Sequence, residues 1–298
     1  MEETQKKNAG GAYACILAAA ALWGLAGIWN RYLMAGGLTP ISVVMIRNFG
    51  GMLLLVLIFS VKDRGVFRVQ RAHLKYFFGT GVVSVLLFTV CYFTTINLAS
   101  LSVAAILLYT SPIWVMLMSA ICFREKITRR KLLCAAMAFG GCVLVSGIGS
   151  ASSLSPMVIV TGLMSAVGYG LYSIFGTFAL RKYQPLTVTT YAFLFGAAGA
   201  VVLCKPNEII TVISSAPNPA GLVLLLMLTA FVTAVLPYLL YTVGLNHMRA
   251  SAAAIMASIE PVVATAAGAL VFGEALTLSA FTGIALVLCA IVLLNAKG

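Results

Sequence analysis

Two long stretches of this sequence carry no charge. Residues 76–123 and 132–180 contain no Asp, Glu, Lys or Arg. A helix needs about 20 apolar residues to cross ~30 Å of hydrocarbon, so each stretch has room for two crossings divided by a turn. The first divides at 97–102, where Asn97, Ser100 and Ser102 supply turn chemistry. The second divides at 147–156, rich in Ser and Gly. Hydrophobic residues make up 62% of the 298-residue chain and charged residues 9%, against roughly 45–50% and about 25% in soluble domains. The expected class is an all-α integral membrane protein, with one membrane domain over residues 1–298 and no soluble domain.

The apolar pattern predicts ten transmembrane helices, at about 11–34, 40–60, 73–97, 101–123, 130–147, 156–180, 185–204, 218–246, 250–273 and 277–296. Each is expected to be long enough to cross. Lys6 and Lys7 precede an apolar run that continues through Trp29. That is too long for a signal-peptide core, so an uncleaved first span is expected.

Loop charge sets the orientation. With the N-terminus inside, the inner segments hold Lys6, Lys7, Lys62, Arg64, Arg68, Arg71, Lys75, Arg124, Lys126, Arg129, Arg130, Lys131, Arg181, Lys182, Arg249 and Lys297, sixteen of the nineteen basic residues. The outer loops hold only Lys205, and Arg31 and Arg47 lie within spans. The expectation is a multi-pass protein of the cell (inner) membrane with both termini cytoplasmic. The net charge of +12 then marks topology and contacts with anionic lipid, not a nucleic-acid face.

The chain also repeats itself. At a shift of 149 residues, Tyr92 meets Tyr241, Asn97 meets Asn246, Ser102 meets Ser251, Pro112 meets Pro261, Glu125 meets Glu274 and Thr128 meets Thr277. Each half, about 11–147 and 156–296, carries five expected helices. Five is odd, so the second half enters the membrane in the opposite sense. Two five-helix inverted-topology repeats imply alternating access.

These marks, together with Trp23-Gly24 and Arg47, resemble the drug/metabolite transporter superfamily and within it the EamA-type ten-helix exporters. The matching segments run from Asn97 through Pro112 and Glu125 to Thr128, and from Asn246 through Glu260-Pro261 and Gly273 to Thr277. The resemblance implies a transporter of amino acids or other small metabolites, with a central cavity lined mainly by the first, third, fourth, sixth, eighth and ninth helices. A related branch exchanges sugar phosphates.

Glu260 is the only charge in residues 250–273, and Pro261 follows it. A carboxylate at the bilayer centre costs several kcal/mol, so it is expected either to bind a substrate amine or proton or to be satisfied by neighbouring helices. Its repeat mate is Ser111. Arg47 has three readings: a substrate carboxylate, a pair with Glu260, or an interfacial position. Arg31, nearer a helix end, is expected to snorkel. Trp23, Gly27 and Asn30 share a helical face, as do Tyr169, Tyr172 and Gly176, and Tyr238 and Tyr241. With Tyr92 and Tyr109 they offer either an aromatic box for a cationic or apolar substrate or ordinary packing. The candidate substrate-binding set is Trp23, Asn30, Arg47, Tyr92, Tyr109, Tyr172, Tyr241 and Glu260. Pro112, Pro261 and Pro237 are expected to kink their helices. Glu125 and Glu274 are assigned gating or structural roles: Glu125 as a loop ion pair, both as caps of the next helix near Thr128 and Thr277.

The leading function is a secondary transporter. The alternatives are an exchanger of anionic metabolites, which needs several cations in its cavity, and a channel-like facilitator. No P-loop GxxxxGK[ST] is present. The only aspartate is Asp63 and the only histidines, His73 and His247, lie at loop margins, so no intramembrane catalytic set is expected. Seven cysteines are scattered without a CxxC or Cys/His cluster, so no metal, cofactor or disulfide framework is expected. Nothing in the sequence requires an oligomer.

Overall fold

The computed structural model describes residues 2–146, 155–203 and 206–296. Residues 147–154 of the expected divider, Cys204, Lys205 and Lys297 lie outside the described residues. Among the described residues every regular element is helical. The long helices are α1 (Glu2–Ala35), α2 (Pro40–Lys62), α3 (Arg71–Leu98), α4 (Leu101–Phe123), α5 (Arg129–Ser146), α6 (Pro156–Leu180), α7 (Pro185–Ala200), α8 (Pro219–Leu245), α9 (Ala250–Phe272) and α10 (Leu278–Asn295).

Eight of them, all but α5 and α7, are long and apolar enough to cross a membrane. α5 spans 18 residues but opens on Arg129, Arg130 and Lys131. α7 is shorter than the sequence predicts: 16 residues, extended by a 3-10 turn at Val201–Leu203, where one helix running on to 204 is expected. At 1.5 Å per residue the α-helical part reaches only about 24 Å.

Polar caps followed by proline start several helices. Thr39 accepts from Ser42 N ahead of Pro40, Ser155 from Val158 N ahead of Pro156, and Asn218 from Gly221 N ahead of Pro219. The cap fills an orphan donor and proline presets φ at N1. One further helix has no counterpart among the ten expected. Pro206–Ser215 lies between α7 and α8, and its Ile209, Val212 and Ile213 pack on Leu33, Leu38, Val43, Ile46 and Leu226. Its Glu208 accepts from Thr39 N at 2.7 Å, so it covers the turn between α1 and α2.

Four helices are interrupted. α3 contains a π segment at Gly79–Val83 and α8 one at Phe231–Val235. α4 is Leu101–Leu108 and Ser111–Phe123 with a break at Tyr109-Thr110. α9 is Ala250–Ala257 and Glu260–Phe272 with a break at Ser258-Ile259. Both parts of α4 map onto those of α9 at the 149-residue offset. The offset continues past their ends: Arg124 (φ 54) and Gly273 (φ 67) are both left-handed, and Thr128 and Thr277 accept from Lys131 N and Ala280 N. Pro112 and Pro261 sit in the first turn of the resumed helices. There a missing N–H costs nothing, so these prolines restart helices rather than bend continuous ones.

α5 and α10 pack backbone to backbone. A Cβ on Gly141 would lie 2.7 Å from Gly283 O, and one on Gly283 2.5 Å from Gly141 O. Close approach of this kind is the usual use of small residues between membrane helices.

Candidate functional site

Trp23 of α1 packs into a cluster of tyrosines from α6 and α8. Its ring lies 5.2 Å from Tyr238, 5.4 Å from Tyr241 and 6.4 Å from Tyr169. Tyr172 adds an edge contact to Tyr238 at 4.9 Å. Two hydroxyls lock the tyrosines in place: Tyr172 shares a 2.8 Å hydrogen bond with Thr242, and Tyr241 one of 2.8 Å with Ser173. Buried phenols keep such partners because an unpaired hydroxyl is costly. These rings, with Ser84 and Phe88 of α3, line a cavity of about 20 Å³.

A second cavity of about 20 Å³ adjoins it across Tyr169. Tyr109, Ser111 and Pro112 come from the break in α4, and Ser258 and Glu260 from the break in α9. The Glu260 carboxylate therefore opens the resumed half of α9, where exposed N–H groups and the helix dipole favour negative charge. α1 reaches this point because residue 24 is glycine: a Cβ there would lie 2.6 Å from Glu260 O and 2.9 Å from Val263 Cβ. Tyr92 lies at the margin of the cluster, its ring stacked on Phe88 at 5.3 Å.

Arg47 forms no ion pair with Glu260. Its Nη2 donates to Thr233 O at 2.7 Å. Thr233 lies in the π segment of α8, four residues before Pro237, which has no N–H to offer it. Arg47 stays within electrostatic reach of Glu260 and Tyr238. Asn30 shares the Trp23 face but is not brought to the rings, and its Oδ1 is buried with no hydrogen-bond partner. Between them, Gly27 is exposed, and a Cβ there would meet nothing within 4 Å.

The two glutamates anchor clusters at opposite ends of α9. Beyond its last residue, Glu274 Oε1 takes Arg31 Nη2 at 2.6 Å, and the same guanidinium lies 4.4 Å over Phe272. Arg31, near the end of α1, is paired with this carboxylate and ring at an exposed position. At the start of α9, Ser251 Oγ donates to Glu125 Oε2 at 2.6 Å, and Lys131 Nζ reaches both, at 3.2 Å and 2.8 Å. The expected partners of Glu125 in its own loop give way to Lys131 of α5 and Ser251, because α9 packs against α4 here. The threonines, not the glutamates, cap α5 and α10. Near Glu125, Arg181 lies 4.9 Å over Phe123. Phe123 and Phe272 stand 149 residues apart, Arg31 and Arg181 150.

Phe88, Ser84, Ser173 and Thr242 belong to the site but do not stand out in the sequence. Their signal is weak: serines and threonines within apolar spans that could equally bond their own helix. Among the residues lining the two cavities there is one charge, the Glu260 carboxylate, and no cation. Aromatic faces and one carboxylate attract a cation.

The sequence pattern of the EamA-like transporter family matches residues 10–147 and, a second time, 156–296. Two uncharacterized transporters of Archaeoglobus fulgidus are similar over nearly their whole length. One is 28% identical over 92% of this chain and 95% of its own, the other 27% identical over 94% of each. The uncharacterized transporter YyaM of Bacillus subtilis is 25% identical over 72% of each chain. A solved crystal structure of 18% identity superposes with a TM-score of 0.72 over 96% of both chains, a likeness of fold.

Proposed function

Because the chain belongs to the EamA-like transporter family, we propose that it is a secondary transporter that exports amino acids or similar small amine-bearing metabolites by alternating access. The observation that carries this reading is the aromatic cluster around Trp23 beside the lone Glu260 carboxylate, built on two broken helices. Broken helices at corresponding positions of the two halves are where transporters of repeated architecture bind cargo. The substrate ammonium would meet Glu260 and the ring faces of Trp23, Tyr109, Tyr172 and Tyr241, with Tyr92 at the margin. Arg47 would leave the Thr233 carbonyl for a substrate carboxylate, and Asn30 would offer its unpaired oxygen on the approach along the Gly27 face. An exchanger of anionic metabolites fits less well, since neither cavity is lined by a cation.

In this reading the chain is one membrane domain of ten crossings, α5 and α7 included, in two inverted halves. Support comes from the family pattern matching twice and from the equal offset of breaks, left-handed residues and caps. Glu125 and Glu274 serve as gates at the two ends, and the restarts at Pro112 and Pro261 as the flexing points. The excess of basic residues in alternate loops supports cytoplasmic termini in the cell membrane, with anionic lipid around them. Cavities of about 20 Å³ hold about one water, so cargo enters only when helices part.

The test is counterflow of labelled amino acids into proteoliposomes, for wild type and Glu260→Gln, at pH 6 and 8. Saturable counterflow lost in the variant is the expected result. Transport that persists in Glu260→Gln at both pH values overturns the role of Glu260. A folded wild type that moves no amino acid overturns the cargo, and family membership stands.

A further inference from the structure

Away from the two cavities, the loops joining α2 to α3 and α6 to α7 line a separate, open pocket of about 570 Å³. Its lining is Arg68, Val69, Gln70, His73, Lys182 and Tyr183. We propose that this pocket binds a phosphate group, as carried by an anionic lipid headgroup or by a soluble phosphorylated metabolite.

The floor is built, not incidental. The Tyr183 hydroxyl accepts from Gln70 N at 3.1 Å and lies 2.7 Å from His73 Nδ1. Its ring packs 5.5 Å from Phe77, which is fully buried and sits 4.8 Å from Tyr191. Tyr191 in turn donates to Phe67 O at 3.0 Å. The loop before α3 is thus pinned to the α6–α7 loop through Tyr183 and to α7 through Tyr191, and His73 is held through Nδ1. Two cationic side chains, Arg68 and Lys182, stand on the walls, and no acidic residue lines the pocket. The nearest acid in sequence, Asp63, accepts from Gly65 N at 2.8 Å.

Phosphate recognition needs cations and directed donors in a concave site, and basic pockets between membrane helices hold phosphorylated headgroups. Val61 and Phe78, close in sequence on α2 and α3, are exposed apolar residues along which a lipid chain could lie. Arg68 and His73 come from the first half of the chain and Lys182 from the second, so a bound phosphate would tie the halves together where they meet.

The experiment compares purified wild type with Arg68→Gln/Lys182→Gln and with Lys126→Gln/Arg129→Gln. The control pair removes the same charge from the α4–α5 loop and the first residue of α5. Retained phosphatidylglycerol is counted by native mass spectrometry, and thermal stability is read against phosphatidylglycerol, phosphatidylcholine, glycerol 3-phosphate and inorganic phosphate. The expected result is at least tenfold weaker phosphatidylglycerol binding in the pocket variant and less than twofold in the control. Loss of stabilisation by the soluble phosphates instead assigns the pocket to a metabolite. Equal losses in both variants, or no loss in either, overturn the proposal.

Discussion

Glu125 and Glu274 are the same residue in two copies and hold their partners in different media. The side chains of Glu125 and Lys131 are 11% and 10% exposed; those of Glu274 and Arg31 are 49% and 57% exposed. Removing one member of a buried pair strands the other charge and costs about 3–5 kcal/mol, whereas an exposed pair is worth about 0–1 kcal/mol. Glu125→Gln is therefore expected to lower the thermal unfolding midpoint of the purified protein markedly, and Glu274→Gln to leave it nearly unchanged. Gly24 is the other sensitive point. A methyl group there meets the Glu260 carbonyl at 2.6 Å, a backbone atom that cannot rotate away. Gly24→Ala should cost about 1–3 kcal/mol by overpacking, read as a lowered midpoint in the same assay. Gly27→Ala, facing open space one turn on, should leave the midpoint unchanged or raise it, since Ala is favoured over Gly in a helix by up to about 1 kcal/mol.

At the scale of helices, the interruptions form one system. The π segment of α8 ends just before Pro237, and Arg47 takes the Thr233 carbonyl, which an α-helical donor at position 237 would otherwise serve. Pro237→Ala restores that donor and makes the guanidinium redundant. The expected outcome is coupling between Pro237→Ala and Arg47→Gln of about 0.5–3 kcal/mol in a double-mutant cycle on thermal stability; additive effects would mean that Arg47 is held by something else. Much of this level is legible in the sequence. Asn97, Pro112, Glu125 and Thr128 with their mates at the 149-residue offset point to matching segments, and α4 and α9 break, end and restart at matching positions. Pro112 and Pro261 read as kinks in the sequence because proline alone does not say whether a helix bends or stops and resumes. The helix at Pro206–Ser215 is hidden by flanking turn residues, Pro206-Asn207 and Pro217-Asn218-Pro219. The π segments have no composition of their own. Contacts such as Tyr241 with Ser173, or Glu125 with Ser251, depend on which helices lie side by side, and that is decided by packing across the whole chain rather than by local periodicity.

At the scale of the molecule, each half lends an arginine at the end of its first helix to an aromatic ring of the other: Arg31 near the end of α1 to Phe272, Arg181 just past α6 to Phe123. The two ends differ in strength, because the buried Glu125–Lys131–Ser251 cluster has no equally buried counterpart around Glu274. If these clusters gate alternating access, the Glu125 end stays shut more of the time. Weakening it with Glu125→Gln should raise the labelling of single cysteines introduced beside Tyr109 from that side at least severalfold, and Glu274→Gln should not. The change can be read by accessibility to a charged thiol reagent in inside-out and right-side-out vesicles.

The two central cavities have a consequence for the cell's electrical economy. An ion-conducting pore needs a file of water from one face to the other, and each of these voids holds about one molecule. A membrane crowded with this protein should keep its voltage. Proteoliposomes given a potassium diffusion potential are expected to discharge no faster than protein-free vesicles of the same lipid, as followed with a voltage-sensitive dye. Rapid discharge would identify a leak pathway, and with it a facilitator rather than a carrier.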